Sequence, residues 1–316
     1  MRRRTVIKAL SAGVLGSATG YALSRGLDHD ANGVAMGVRT GCLCAQSDSD
    51  LRVVSHRTDQ RLVYQGTHLL THGAFRELAE HYQRDTGYSF EVFGGGCDDG
   101  IAAVQKQRAH LGGLCCPVED TRARAYDRLL VARDIKVVVT HPAVGVENLA
   151  FDELQALARG HIVRWSALGG PDRPVAWLYR DHCPDYREPV RDILLDNRPE
   201  WSPRGIGIDT DERLAQTIAQ FHMGVGVVSW VFAAPYVEQG ALNVVSVDGV
   251  SPTADAVTQG DYPLHGPLYV IMDRWFEPLM RPFFEYLFSE SGQAIVSRRL
   301  VAVSAHDAGY TSMLKV

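Results

Sequence analysis

Apolar and polar positions follow two periods along most of the chain, and the change from one to the other marks the elements. The run LVYQGTH (62–68) reads as a short strand ending in a turn. Phe75, Leu78, Ala79 and Tyr82 then fall at i, i+3, i+4 and i+7, one apolar face of a helix. Residues 88–93 alternate like a strand and run into Gly94-Gly95-Gly96. A second helix is predicted over 98–108 and a strand over 111–116. Further strands are predicted at 136–141, 175–180, 224–230, 242–249 and 267–272. Helices are predicted at 151–159, at 212–221 and through the C-terminal stretch 276–299. Strands alternating with helices imply βαβ units and a largely parallel sheet. In such sheets ligands bind beyond the carboxyl ends of the strands, so the loops around Thr67, Cys97, Cys115 and Cys183 are the ones to inspect.

The N-terminal 60 residues do not share this pattern. Arg2, Arg3 and Arg4 precede an uncharged, small and apolar run over 9–23, which fits an export signal better than a membrane span. Arg3-Arg4-Thr5-Val6-Ile7-Lys8 has the form of a twin-arginine signal, with a Sec signal as the alternative. Residues 1–24 are therefore read as a twin-arginine-type signal and 25–58 as a tether, with cleavage after Ala22 or retention as a membrane anchor both open. Cys42 follows Gly41 but lies far past the apolar run, which argues against lipidation. Either export route places the protein in the periplasm.

Composition changes this picture little. A chain of 316 residues, 46% hydrophobic and 22% charged, is long enough for two domains and is neither disordered nor polytopic. A net charge of −5 gives no support to nucleic-acid binding. No P-loop, H-E-x-x-H, C-x-x-C-H or G-x-S-x-G motif occurs, so an enzyme is not expected.

The six cysteines matter through their placement. Cys42 and Cys44 form a C-x-C pair in the tether. Cys97 follows three glycines and opens a helix, where the helix terminus would lower its pKa and make it a candidate thiolate. Cys115 and Cys116 end a strand before Pro117. Cys183 precedes Pro184 and could cap a helix, although Pro189 could equally start it. Four of the six thiols thus fall at strand ends that face one cleft. In an oxidising compartment they could be ligands, disulfides or inert buried thiols; a vicinal Cys115–Cys116 bond would be strained. His68 and His182 lie near the same cleft, so a zinc or copper site is a further possibility.

From about 61 to 303 the chain resembles the PstS-like phosphate-binding periplasmic solute-binding proteins. The resemblance is carried by GGGCDDGIAAVQKQRAHLGGLCCPVED, LAFDELQALARGHIVRWSALGGPDRPV, GVGVVSWVF, DYPLHGPLYVIMD and SGQAIVSRRL. It implies a type II periplasmic-binding-protein fold, α/β, with two lobes joined by two crossovers. Each lobe would be a mixed, mainly parallel sheet flanked by helices. Lobe one would span 59–139 plus 268–316, and lobe two 140–267. In that family hydroxyls and helix-start N–H groups hold phosphate. Here Cys97, Cys115 and Cys116 stand at those positions, with Cys183 where a Ser-Gly-Thr-Arg-Glu turn is usual; only Gly66-Thr67 and Arg187 match.

A thiol is a weak hydrogen-bond donor, and Asp98, Asp99 and Asp185 beside these positions disfavour a dianion. Soft ligands select thiolates, and arsenite is neutral and forms a pyramidal three-sulfur site. The chain therefore resembles a cysteine-substituted variant akin to the arsenite-sensing solute-binding proteins encoded beside arsenite oxidases. The expected ligand set is Cys97, Cys115, Cys116 and Cys183 with Thr67, His68, Gly96, Asp98 and Arg187. The first three cysteines would hold the arsenic, or a soft metal in the alternative. No cofactor is required, and bound arsenite is the expected ligand. The implied partner is a membrane sensor histidine kinase, with an ABC permease as the alternative if the cargo is phosphate.

Overall fold

A computed structural model describes residues 61–198 and 200–314. The expected signal, the tether and the Cys42/Cys44 pair lie outside them. The described residues open with β1 (Arg61–Thr67), a helical turn α1 (His68–Leu70), a π-helical stretch (Thr71–Phe75) and α2 (Arg76–Thr86). Thr67 starts this helical run because its Oγ1 accepts from the Leu69 N–H at 3.3 Å, and Gly87 ends it in the left-handed conformation at φ 78°. Next come β2 (Ser89–Gly95), α3 (Cys97–Gln105), β3 (Leu111–Leu114) and β4 (Asp127–Thr140). The middle of the chain holds β5 (Asn148–Leu149), α4 (Phe151–Arg159), β6 (Ala176–Arg180), α5 (Pro189–Leu195), β7 (Ile206–Ile208) and α6 (Asp211–Gln220). It continues through β8 (Gly224–Ser229), α7 (Trp230–Glu238), β9 (Asn243–Val247) and α8 (Ala254–Gln259). The chain closes with β10 (His265–Met272), α9 (Glu277–Leu287), α10 (Glu290–Val296), β11 (Val301–Ala302) and α11 (Tyr310–Met313).

The periodic segments form where the pattern places them, and the departures have local causes. β4 begins nine residues before the apolar run at 136, because Arg128, Arg133 and Asp134 break that run without breaking the ladder. The single helix expected over 276–299 is two, since Ser289 caps a new start by accepting from the Gly292 N–H at 3.3 Å.

The sheet is mixed, in the order β2-β1-β3-β10-β4-β8-β6-β7. Parallel pairs occupy its two wings, β2-β1-β3 and β8-β6-β7, while β4 and β10 run antiparallel through the middle. The first half of β4 pairs with β10 and its second half with β8 and β9. Two large apolar clusters follow this division. One packs α2 and α9 on β1 and β10 around Tyr64, Phe75 and Phe283. The other gathers β6, β8 and α6 around Trp165, Leu178 and Leu214. A third, small cluster lies at the carboxyl ends of the first wing and contains Cys97 and Cys116.

Candidate functional site

In the parallel wing Thr67 pairs with Gly95 and Gly66 with Gly113. This register sets the carboxyl ends of β1, β2 and β3 side by side. Thr67, Cys97 and Cys115 consequently emerge on one edge. Helix α3 lies unusually close to β3. A Cβ on Gly100 would sit 2.9 Å from the Gly113 nitrogen, so only glycine allows this approach. The closeness brings Cys97 Sγ to 3.5 Å from Cys115 Sγ, and the Cys115 N–H donates to Cys97 Sγ at 3.2 Å. The sulfurs of Cys97, Cys115 and Cys116 all lie within 4.8 Å of one another. Cys97 is 1% exposed and Cys116 0%; Cys115 and Cys183 are partly buried, and all four thiols are free.

Cys183 reaches this group from the loop after β6 and packs against the small cluster that contains Cys97 and Cys116. It is not a helix cap. Its φ is 48°, and α5 starts at Pro189, where Glu188 accepts from the Arg191 N–H at 2.8 Å. Proline at the first helical position and a carboxylate N-cap outweigh the earlier Pro184.

Charge within the cluster does not sit where the helix terminus alone would put it. The Cys97 thiol is pushed up, chiefly by its hydrogen bond to Cys115, and Cys116 is pushed up by donating to Cys115 and Cys183. Hydrogen bonds from Cys116 and Cys97 hold Cys115 well below the usual thiol range and bring Cys183 down to about 4. Burial lowers the pKa of His182, but Cys115, Glu188 and Cys183 together outweigh it and raise the pKa above the ordinary value. The four thiols and His182 thus shift one another's pKa values in a corner of low polarity.

Of the three carboxylates expected to repel an anion, Asp98 and Asp99 are engaged, and Asp185 is exposed. Asp99 Oδ2 accepts from the Gly96 N–H at 2.7 Å, so the helix-start donor at Gly96 already has an anion. Asp98 accepts from Tyr186 Oη at 2.5 Å and pairs with Arg122; burial opposes its ionisation, yet these two donors hold its pKa below the usual range. Thr67 is buried with its hydroxyl on the Leu69 N–H. The His68 ring lies over Gly94, where a Cβ would meet it at 2.8 Å, and burial followed by Arg180 lowers its pKa. Arg187 is half-exposed and pairs with Asp192 at 2.7 Å.

Three residues without a signature in the sequence, together with His182, which the sequence placed near the cleft, complete the corner. Arg191, 8% exposed, donates to the carbonyls of Cys183 at 3.0 Å, His182 at 3.4 Å and Tyr186. Tyr186 and Arg122 act through Asp98, and His182 through Cys115. The Pro189 helix start could have pointed to Arg191, since position 191 falls in the first turn and faces back along the loop.

Comparison with known proteins bears on the fold and family. A PBP superfamily domain profile matches residues 67–291. The phosphate-binding protein PstS of Bacillus subtilis is 23% identical over 252 residues, covering 78% of this chain and 82% of that protein. PstS of Borreliella burgdorferi is 22% identical over 175 residues, which cover 53% of this chain and 62% of the relative, under two thirds of its length. Among solved structures, a Clostridium perfringens protein with bound phosphate superposes with a TM-score of 0.67 at 20% identity, over 77% of this chain and all of that one. This last likeness is one of fold.

Proposed function

The chain belongs to the PBP superfamily, and on that premise we propose that it is an exported solute-binding protein whose cargo is arsenite, taken by cleft thiols. The observation that carries this reading is the convergence of three cysteine sulfurs within 4.8 Å of one another, with a fourth in reach, where the fold's strand ends meet. Hydroxyls and amides suit a hard anion, whereas thiolates suit a soft centre. The amide at Gly96, one of the donors an oxyanion would need, is closed off by Asp99.

Capture exchanges ligands without redox change. Three As–O bonds of arsenous acid break, three As–S bonds form, and three waters leave. Neutral thiols supply their own protons to the departing hydroxyls. For a thiol that is already ionised, the neighbouring base that took its proton returns it, and His182 is the imidazole beside Cys115. Closure over the cargo is the form a membrane sensor histidine kinase would read. Export by the twin-arginine route suits the reading, because a folded protein leaves the cytoplasm with its thiols already sheltered.

The curated relatives, both phosphate-binding proteins, favour a second reading: a phosphate or oxyanion receptor delivering to an ABC permease. Calorimetric titration of the reduced protein with arsenite, phosphate and zinc separates the readings. Arsenite is expected to bind one to one. Cys97→Ser and Cys116→Ser should each weaken it about 100-fold or more while leaving any phosphate heat unchanged. Equal arsenite affinity in wild type and both variants would end the thiol reading. Phosphate binding without arsenite binding would establish the second, and a zinc heat alone would establish a soft-metal site.

A further inference from the structure

Three thiols of the corner belong to α3 and the end of β3, on the first wing of the sheet. The fourth, Cys183, is brought by the loop 181–188 that joins β6 of the other wing to α5. Two unlike devices hold that loop. Toward the first wing, the Tyr186 hydroxyl donates to Asp98 Oδ1 at 2.5 Å, Arg122 pairs with the same carboxylate, and Arg122 Nε donates to Tyr186 Oη at 3.4 Å. The Tyr186 ring is 6% exposed and packs in the small cluster that contains Cys97 and Cys116. Toward the second wing, the Arg191 guanidinium gathers the carbonyls of His182, Cys183 and Tyr186 and reaches Asn197 Oδ1 at 3.2 Å.

Between the two devices Cys183 adopts φ 48°, a left-handed backbone that a β-carbon disfavours. Such a conformation persists where its surroundings over-determine it, and these contacts do so. The neighbouring Pro184, Asp185 and Arg187 are exposed, so burial of the loop as a whole does not explain it. One face of the loop is pinned, and that face carries the thiol.

We propose that the loop 181–188 is a clasp in which Tyr186 and Arg191 are positioning residues that seat the Cys183 thiol on the other three, so that Cys183 holds cargo only while Tyr186 is docked on Asp98. The proposal rests on the thiol reading for its cargo, but its geometry can be tested without one. Tyr186→Phe removes the hydroxyl and keeps the ring in its apolar cluster.

Two measurements on the full reduced chain test the clasp. In the absence of cargo, alkylation by N-ethylmaleimide is followed site by site by mass spectrometry. Tyr186→Phe should speed labelling of Cys183 about tenfold and leave Cys97 and Cys116 unchanged. Equal Cys183 labelling in wild type and variant, or equal acceleration at all four thiols, would overturn the proposal. With arsenite as probe, Tyr186→Phe should release it about tenfold faster than wild type, and in a Cys183→Ser background the same change should have no further effect. Additive effects in the two backgrounds would also overturn it. Asp98→Asn, which keeps the packing, should reproduce both results if Tyr186→Phe folds poorly. A wild type that fails to bind arsenite rejects the thiol reading alone, since the labelling result still decides the clasp.

Discussion

Two neighbouring parts of this molecule bury polar groups, and they do so by opposite rules. At the junction of the two wings, Lys136 on β4 pairs with Asp134 at 2.8 Å, Ser229 at the end of β8 donates to Asp134 at 2.6 Å, and Arg180 pairs with Asp211 at 3.0 Å. Each charge there faces its opposite. Burial raises Asp134, while Lys136 and Arg180 outweigh burial to hold Asp211 below the usual carboxylate range. In the thiol corner four groups of one kind converge, with His182 beside Cys115. Complementary buried groups complete one another and are accounted for by the fold. Convergent groups of one kind are not paired off in that way, which is what the proposed ligand role would require.

The comparison breaks most visibly if the junction is more than structure. Lys136→Ala would leave Asp134 buried without its cation, a change that costs about 3–5 kcal/mol in comparable sites. Urea denaturation should show that loss, while maleimide labelling of the folded variant should show the four thiols unchanged. Replacing the pair together, as Asp134→Leu with Lys136→Met, should recover most of the stability. If the single change leaves stability intact but abolishes ligand binding, the junction belongs to the site and the contrast fails.

A smaller effect sharpens the other side. Gly100→Ala places a methyl 2.9 Å from the Gly113 nitrogen and must lift α3 from β3. The expected cost is about 1–3 kcal/mol by thermal or urea unfolding, the usual range for overpacking. It should also move Cys97 away from Cys115 and weaken arsenite binding more than the stability loss alone would. Binding at wild-type strength would show that the close helix–strand contact serves the core and not the thiols.

The same contrast explains what could be read from sequence. Cys97 was legible because a glycine run before an apolar-periodic segment marks a strand-to-helix turn, and Cys115 and Cys116 because a strand pattern ends on them. These are local signals, and the parallel register brings them to one edge of the sheet. Tyr186 and Arg191 were not legible. Their roles depend on the path of a loop with one left-handed residue, and no periodicity encodes that path. The junction was hidden for a related reason. Asp134 and Lys136 flank an apolar run and read as its polar border, whereas a 14-residue strand carries both into the interior. The mutual influence of the thiols also escaped: a helix terminus alone would lower Cys97, whereas its hydrogen bond to Cys115 pushes it up and lowers Cys115.

The smallest effect concerns acid, and it distinguishes the junction from the histidines beside it. His72 stands in the π-helical turn, 5.7 Å from the His68 ring and 5.7 Å from Phe232 between ring centres. Burial, then Arg76 and His68, bring its pKa down to about 4. A histidine depressed in the folded state is protonated first in the unfolded chain. Its contribution is therefore complete above about pH 6.5 and is lost as pH falls toward 4. Solvent reaches the His72 ring, so the amount should stay below about 1 kcal/mol. Asp211, also depressed, responds in a different window, losing its contribution only as pH falls below the ordinary carboxylate value of 3.8. Urea denaturation at pH 7 and pH 4.5 separates the two. His72→Gln should lose less stability over that interval than wild type, and Asp211 should contribute to neither curve. An equal loss in both proteins would assign the acid sensitivity above pH 4 to the buried charges, and the paired junction would then be less self-sufficient than its geometry implies.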